Sequence, residues 1–169
     1  MGNWEAMASC ISKEIRNSHV TVKAVGKGGA DQFVKKQRKM NQMNEIRRKN
    51  RGDAQKQILE ILNRNEIVGF VIDQARTNSP RLPLFNKPAK TNVSLAAMWR
   101  KQPCPILPAY IERTSFDKHQ IHFLAPITLT MTSNKEQDLL DHSTYFNSVI
   151  ESIIRKNPTQ YFWFHNRWK

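Results

Sequence analysis

The 169 residues predict an α/β fold in which a mixed central sheet is flanked by helices. Three observations carry that expectation. Strand and helix signals alternate along the chain instead of falling into separate blocks. Glu66-Ile67-Val68-Gly69-Phe70-Val71-Ile72-Asp73 is a continuous apolar run, as expected of a central strand covered on both faces. The stretch from Glu136 to Lys156 places Leu139, Leu140, Phe146, Val149, Ile150, Ile153 and Ile154 at the spacing of a long core-facing helix.

Asn3 reads as a helix N-cap, because its short side chain can accept from the unpaired amides of a first turn. Trp4, Met7, Ala8, Ile11 and Ile15 then recur at helical spacing and define an inner face. Glu5 falls in that first turn, where the helix dipole favours a carboxylate. His19 to Val25 alternates apolar and polar residues and predicts a strand. Gly26-Lys27-Gly28-Gly29 predicts a turn and does not have the pattern of a phosphate loop. From about Asp31 to Asn50 the chain predicts a basic, largely exposed helix carrying Lys35, Lys36, Arg38, Lys39, Arg47, Arg48 and Lys49, with Arg51 just beyond. Gly52 stops it. Asp53 is expected to cap the next helix, with Ile58, Ile61 and Leu62 facing inward. The apolar strand ends in Asp73-Gln74, polar groups at a strand's carboxyl end, where open α/β sheets bind ligands. A loop with Pro80, Pro83 and Pro88 follows, then a helix from about Asn92 to Lys101 and strands at Pro105 to Ile111 and Gln120 to Leu124.

The length suits a single domain spanning 1–169 with a proper core. A formal net charge of +13 implies an acidic partner: an anionic membrane surface, an acidic protein or nucleic acid. Nucleic acid is disfavoured, because the run from Lys35 to Arg51 contains no aromatic residue on which bases could stack. The two cysteines, Cys10 and Cys104, lie far apart without a ligand pattern, so buried unpaired thiols are expected and no metal. No apolar run reaches the roughly 18 residues of a bilayer span, so peripheral membrane association is expected.

Five segments, in order, resemble one family. Gly2-Asn3-Trp4-Glu5 is similar to the end of the His-Phe-Gly-Asn-Trp-Glu motif of the lipid A biosynthesis acyltransferases, the late lauroyl- and myristoyl-type enzymes of Gram-negative bacteria. Arg48-Lys49-Asn50-Arg51-Gly52 resembles the family's Arg-x-x-x-Gly, and Asp73-Gln74 its Asp-Gln after a hydrophobic strand. Leu84-Phe85-Asn86-Lys87-Pro88-Ala89-Lys90-Thr91 resembles Phe-Phe-Gly-x-x-Ala-x-Thr, with Asn86 in place of the glycine. Pro158 to Lys169 resembles Pro-x-Gln-Tyr-x-Trp-x-His-x-Arg-Trp-Lys.

The resemblance implies a glycerolipid-acyltransferase-like fold, incomplete at its N-terminus. It also implies transfer of a fatty acyl chain from acyl carrier protein to a hydroxyl of a lipid A precursor, at the cytoplasmic face of the inner membrane and without a cofactor. In such chemistry a histidine takes the hydroxyl proton during attack on the thioester, and a carboxylate orients and stabilises the imidazole. Glu5 matches that carboxylate, and the matching histidine falls before Met1. The expectation is therefore an N-terminally truncated chain of impaired activity, with a separately encoded N-terminal half as a further candidate partner. The alternative is an inactive split-gene fragment that binds lipid or carrier protein. By resemblance, Asn3, Arg48, Asp73, Gln74 and Arg167 join the substrate site, and adjacent Arg47 leaves the register of the Arg48 match open by one residue. For His165 and Arg167 a phosphate contact and a packed aromatic corner both remain open.

Overall fold

A computed structural model describes residues 2–22, 29–47, 52–74, 78–165 and 167–169. They fall into two units, Asn3–Val71 and Ile72–Lys169, with Gly2 belonging to the second.

The first unit runs α1 (Trp4–Glu14), β1 (Ser18–Val22), α2 (Gly29–Met40), β2 (Asn44–Arg47), α3 (Asp53–Asn63) and β3 (Ile67–Gly69). Its strands pair parallel in the order β2-β1-β3. Parallel neighbours need crossover connections, and α2 and α3 supply them. Ala8, Val20 and Met43 form a buried cluster against which Trp4, Val22 and Val71 pack. Asn3 caps α1 as expected, its Oδ1 accepting from the Ala6 amide at 3.1 Å.

Several expectations are corrected here. The apolar run of 66–73 is not the central strand: β1 holds the centre, and β3 keeps only Ile67–Gly69. Glu66 is taken up in closing α3, and the run then divides between two cores, Val71 joining one and Ile72 the other. The basic helix ends at Met40, not at Asn50. Gln42 adopts φ 56°, and the amides of Gln42 and Met43 turn back to the carbonyls of Lys39 and Arg38. That is a Schellman closure with glutamine in the place glycine usually fills, so composition did not announce it. Asn65 closes α3 in the same way, at φ 56°. Gly52, at φ 96°, is the N-cap of α3, and Asp53 is its first helical residue. Ile15 is 61 % exposed, and the Cys10 thiol is exposed rather than buried. Lys23 to Gly28, including most of the expected glycine turn, lie outside the described residues.

In the second unit come β4 (Arg81–Leu84), β5 (Lys87–Lys90), α4 (Ser94–Lys101), β6 (Ala109–Arg113), β7 (His119–Phe123), α5 (Lys135–Lys156) and a 3-10 turn at Pro158–Gln160. β4 pairs with β5 and β6 with β7, both antiparallel. The expected single mixed sheet is thus a parallel sheet in one unit and two separate hairpins in the other. The proline-containing loop is the first of these hairpins. Pro83 and Pro88 face each other, one pair in from the turn, where an antiparallel ladder needs no amide donor. Leu82, Leu84 and Ala89 are buried. Phe85 and Asn86 form the two-residue turn with φ 54° and 58°, the left-handed pair that matches strand twist. Asn86 can therefore stand where the family has glycine, because asparagine tolerates this region. On α5, Phe146, Ile150, Ile153 and Ile154 face inward as expected, whereas Leu140 is 37 % exposed.

Two outcomes follow from the turn. Asn86→Gly should leave urea unfolding unchanged or slightly stabilised, while Asn86→Val should cost about 1–2 kcal/mol for a branched residue at positive φ. Glu151 accepts from Arg155 and, at 2.7 Å, from the Phe85 amide, and these bonds hold its carboxyl below the ordinary value. A lowered folded-state pKa stabilises above the unfolded value of 4.5, and that gain fades as pH falls through the folded value. The stability difference between wild type and Glu151→Gln should accordingly shrink below that pH in acid-unfolding curves.

Candidate active site

Glu5 projects from the first turn of α1, a position fixed by the Asn3 cap. Its partner is Arg38, near the end of α2. Arg38 Nε donates to Glu5 Oε1 at 3.1 Å, and Nη2 donates to the same oxygen. Nη1 donates to Glu45 Oε1 on β2 at 2.8 Å. The guanidinium also lies over the Trp4 ring, 5.7 Å from its centroid. Burial disfavours the charge of Arg38, but the hydrogen bonds to Glu45 and Glu5 and their negative charge outweigh it and hold its pKa above the usual arginine value. The geometry is lopsided. Both contacts fall on Oε1, whereas Oε2 has no hydrogen-bond partner among the described residues, and the Glu5 side chain is 44 % exposed. The carboxylate is thus oriented by one oxygen and open at the other.

Arg38 is the partner of Glu5 that sequence reasoning missed, having been assigned to an exposed basic face. It is buried. Asp31, Val34 and Arg38 share one stripe of α2 at i, i+3 and i+7, and all three are at least half covered, while Phe33 is 64 % exposed. That spacing was the available signal.

The remaining expected residues belong to the second unit, except Arg48, which lies outside the described residues. The Asp73 carbonyl accepts from the Tyr161 hydroxyl at 3.3 Å, and Gln74 is exposed. Burial is the main cause that pushes the Tyr161 phenol up, with Arg167 opposing it and Asp73 adding to it. Arg167, expected to contact substrate, is 0 % exposed. Its Nε donates to the Lys90 carbonyl at 2.9 Å, and its Nη2 donates to Asn147 Oδ1 at 2.8 Å and to Thr91 Oγ1 at 3.3 Å. The packed corner, not a phosphate contact, is what this geometry supports. Gly2 adopts φ +69°, and a Cβ there would sit 2.1 Å from the Ile111 carbonyl oxygen, so only glycine fits at that point. Among the described residues no group of three His, Cys, Asp or Glu side chains converges as a metal site requires.

The model of the family described as bacterial lipid A biosynthesis acyltransferase matches residues 1–169. The chain belongs to that family. Membership implies acyl transfer in lipid A biosynthesis, with an acyl donor and a lipid A precursor as substrates. The family is associated with the inner membrane, and no helix among the described residues is long and apolar enough to cross a membrane. No curated protein matches the chain.

Arg38→Met should uncouple Glu5 from Glu45 and lower stability towards the low end of the roughly 3–5 kcal/mol typical of a broken buried pair, since Glu5 is partly solvated. A double-mutant cycle with Glu45→Gln, read by urea unfolding, should show coupling, because the two residues share a hydrogen bond. Gly2→Ala should destabilise by about 1–3 kcal/mol, the usual cost of a strained backbone forced on the chain.

Proposed function

We propose that this chain supplies the carboxylate part of a site transferring a fatty acyl group from acyl carrier protein to a hydroxyl of a lipid A precursor. The reaction would take place at the cytoplasmic face of the inner membrane. The observation that supports this most is the state of Glu5, the residue matching the family's motif carboxylate. Arg38 holds Oε1, and Oε2 is left to accept from an imidazole N–H. In the step itself, the acceptor hydroxyl oxygen attacks the thioester carbonyl while its proton passes to the histidine. The tetrahedral intermediate collapses with cleavage of the C–S bond, and the thiolate leaves with that proton. Glu5 stabilises the transient imidazolium, and Arg38 acts through Glu5 as a positioning residue. Asn3 fixes the turn that presents Glu5. By resemblance, Arg48 with Asp73 and Gln74 serves the anionic acceptor. The positive charge of +13 suits an acidic carrier protein, a phosphorylated acceptor and an anionic bilayer alike.

A histidine five positions ahead of Glu5 is not among these 169 residues, so transfer by them alone is proposed to be impaired. Purified chain, acyl carrier protein thioester and lipid A precursor should give little product. Supplying a polypeptide that carries the histidine half should restore transfer, and Glu5→Ala should then lower kcat by about 10²–10⁴-fold, the usual weight of general acid–base catalysis. Full turnover by the chain alone would refute the impairment. Restored turnover indifferent to Glu5→Ala would refute the role given to Glu5.

A further inference from the structure

The segment after α5 presents three consecutive aromatic side chains, Phe162, Trp163 and Phe164, to solvent on a base that its neighbours hold. Tyr161 is buried, and its hydroxyl donates to the Asp73 carbonyl. Trp163 is pinned from two sides: Nε1 donates to the Pro158 carbonyl at 2.8 Å, and the ring stacks on Trp168 with centroids 6.1 Å apart. Arg167 is locked into the corner described above. Trp163 itself stays 46 % exposed, and Phe162 and Phe164 on either side of it face solvent, 60 % and 91 % exposed. Their rings lie beside each other, centroids 6.1 Å apart. A single exposed phenylalanine needs no explanation, but a paired patch on a fixed base does.

The segment's own charge has one sign. From Arg155 to Lys169 the chain carries Arg155, Lys156, Arg167 and Lys169 and no Asp or Glu. Arg167 is buried, and Arg155 pairs with Glu151, yet Arg155, Lys156 and Lys169 all remain exposed. Aromatic side chains flanked by exposed cations fit the boundary of a bilayer with anionic headgroups, where rings enter the acyl region and the cations meet phosphate.

We propose that Phe162 and Phe164, with the exposed cations Arg155, Lys156 and Lys169 of the same segment, form a surface that inserts shallowly into an anionic lipid bilayer. The proposal extends the acyltransferase reading by assigning the membrane contact to particular residues, and it is tested without turnover, so each can fail independently. In co-sedimentation, the full chain should bind phosphatidylglycerol-containing vesicles and bind pure phosphatidylcholine vesicles much less. Phe162→Ser/Phe164→Ser should weaken binding to the anionic vesicles about tenfold or more, with the circular dichroism spectrum unchanged because both side chains are exposed. Phe162→Trp/Phe164→Trp should retain binding, since Trp suits the same interfacial position. Tyr145→Ser removes an aromatic 48 % exposed elsewhere on α5 and should have no effect. Unchanged binding by the serine double variant, or equal loss on Tyr145→Ser, would overturn the assignment. So would vesicle binding that is unaffected while binding to acyl carrier protein is lost, which would make the patch a protein-docking surface.

Discussion

A guanidinium can leave water only if its N–H groups find acceptors, since an uncompensated buried charge costs several kcal/mol. Each unit of this chain is tied by one buried arginine: Arg38 meets the constraint at all three nitrogens, Arg167 at Nε and Nη2 only, its buried Nη1 having no partner among the described residues. In the first, Arg38 on α2 reaches α1 through Glu5 and β2 through Glu45, so three elements share one cation. In the second, Arg167 joins the strand end at Lys90 and Thr91 to Asn147 on α5. Asn147 in turn donates to the Pro83 carbonyl and to Thr91 Oγ1, which draws β4 into the same network.

The acceptors decide what each arginine does. Arg167 meets a backbone carbonyl, an amide and a hydroxyl, all neutral, in a place with no exposure. That arrangement orders a corner and has no surface for a ligand. Arg38 meets two carboxylates, and one of them is partly solvated with an oxygen to spare. A cation in that position restricts the rotamers of Glu5 without blocking its second oxygen, which is the property an imidazole partner needs. The same contrast runs through the C-terminal corner. Tyr161 and Arg167 are buried there, while Phe162, Trp163 and Phe164 stay exposed.

Much of the secondary structure was legible because its signals are local. The Asn3 cap, the period of α5, the strand expected over His19 to Val25 and described over Ser18–Val22, and the end of α4 at Lys101 all rest on interactions within about four residues. The errors share a cause. Gln42 closes α2 in a conformation usually marked by glycine, so the basic stretch to Asn50 carries no compositional sign of the helix end at Met40. Pro83 and Pro88 looked like loop residues because proline lacks an amide, and only their facing register shows that none is required. The apolar run after Glu66 had the composition of a central strand, but composition does not say which core each residue will join.

By itself, the sequence determined the family, through five ordered segments, and the place of a carboxylate at position 5 in the first turn of a capped helix. Only the tertiary structure decided that Arg38 is its partner and that Arg167 is buried against Lys90, Thr91 and Asn147. The acceptors of Arg38 lie 33 residues before it and 7 after, and those of Arg167 lie 20 to 77 residues away. A basic residue in a charge run is solvated unless distant acceptors fold onto it. Whether they do is a property of the packed chain.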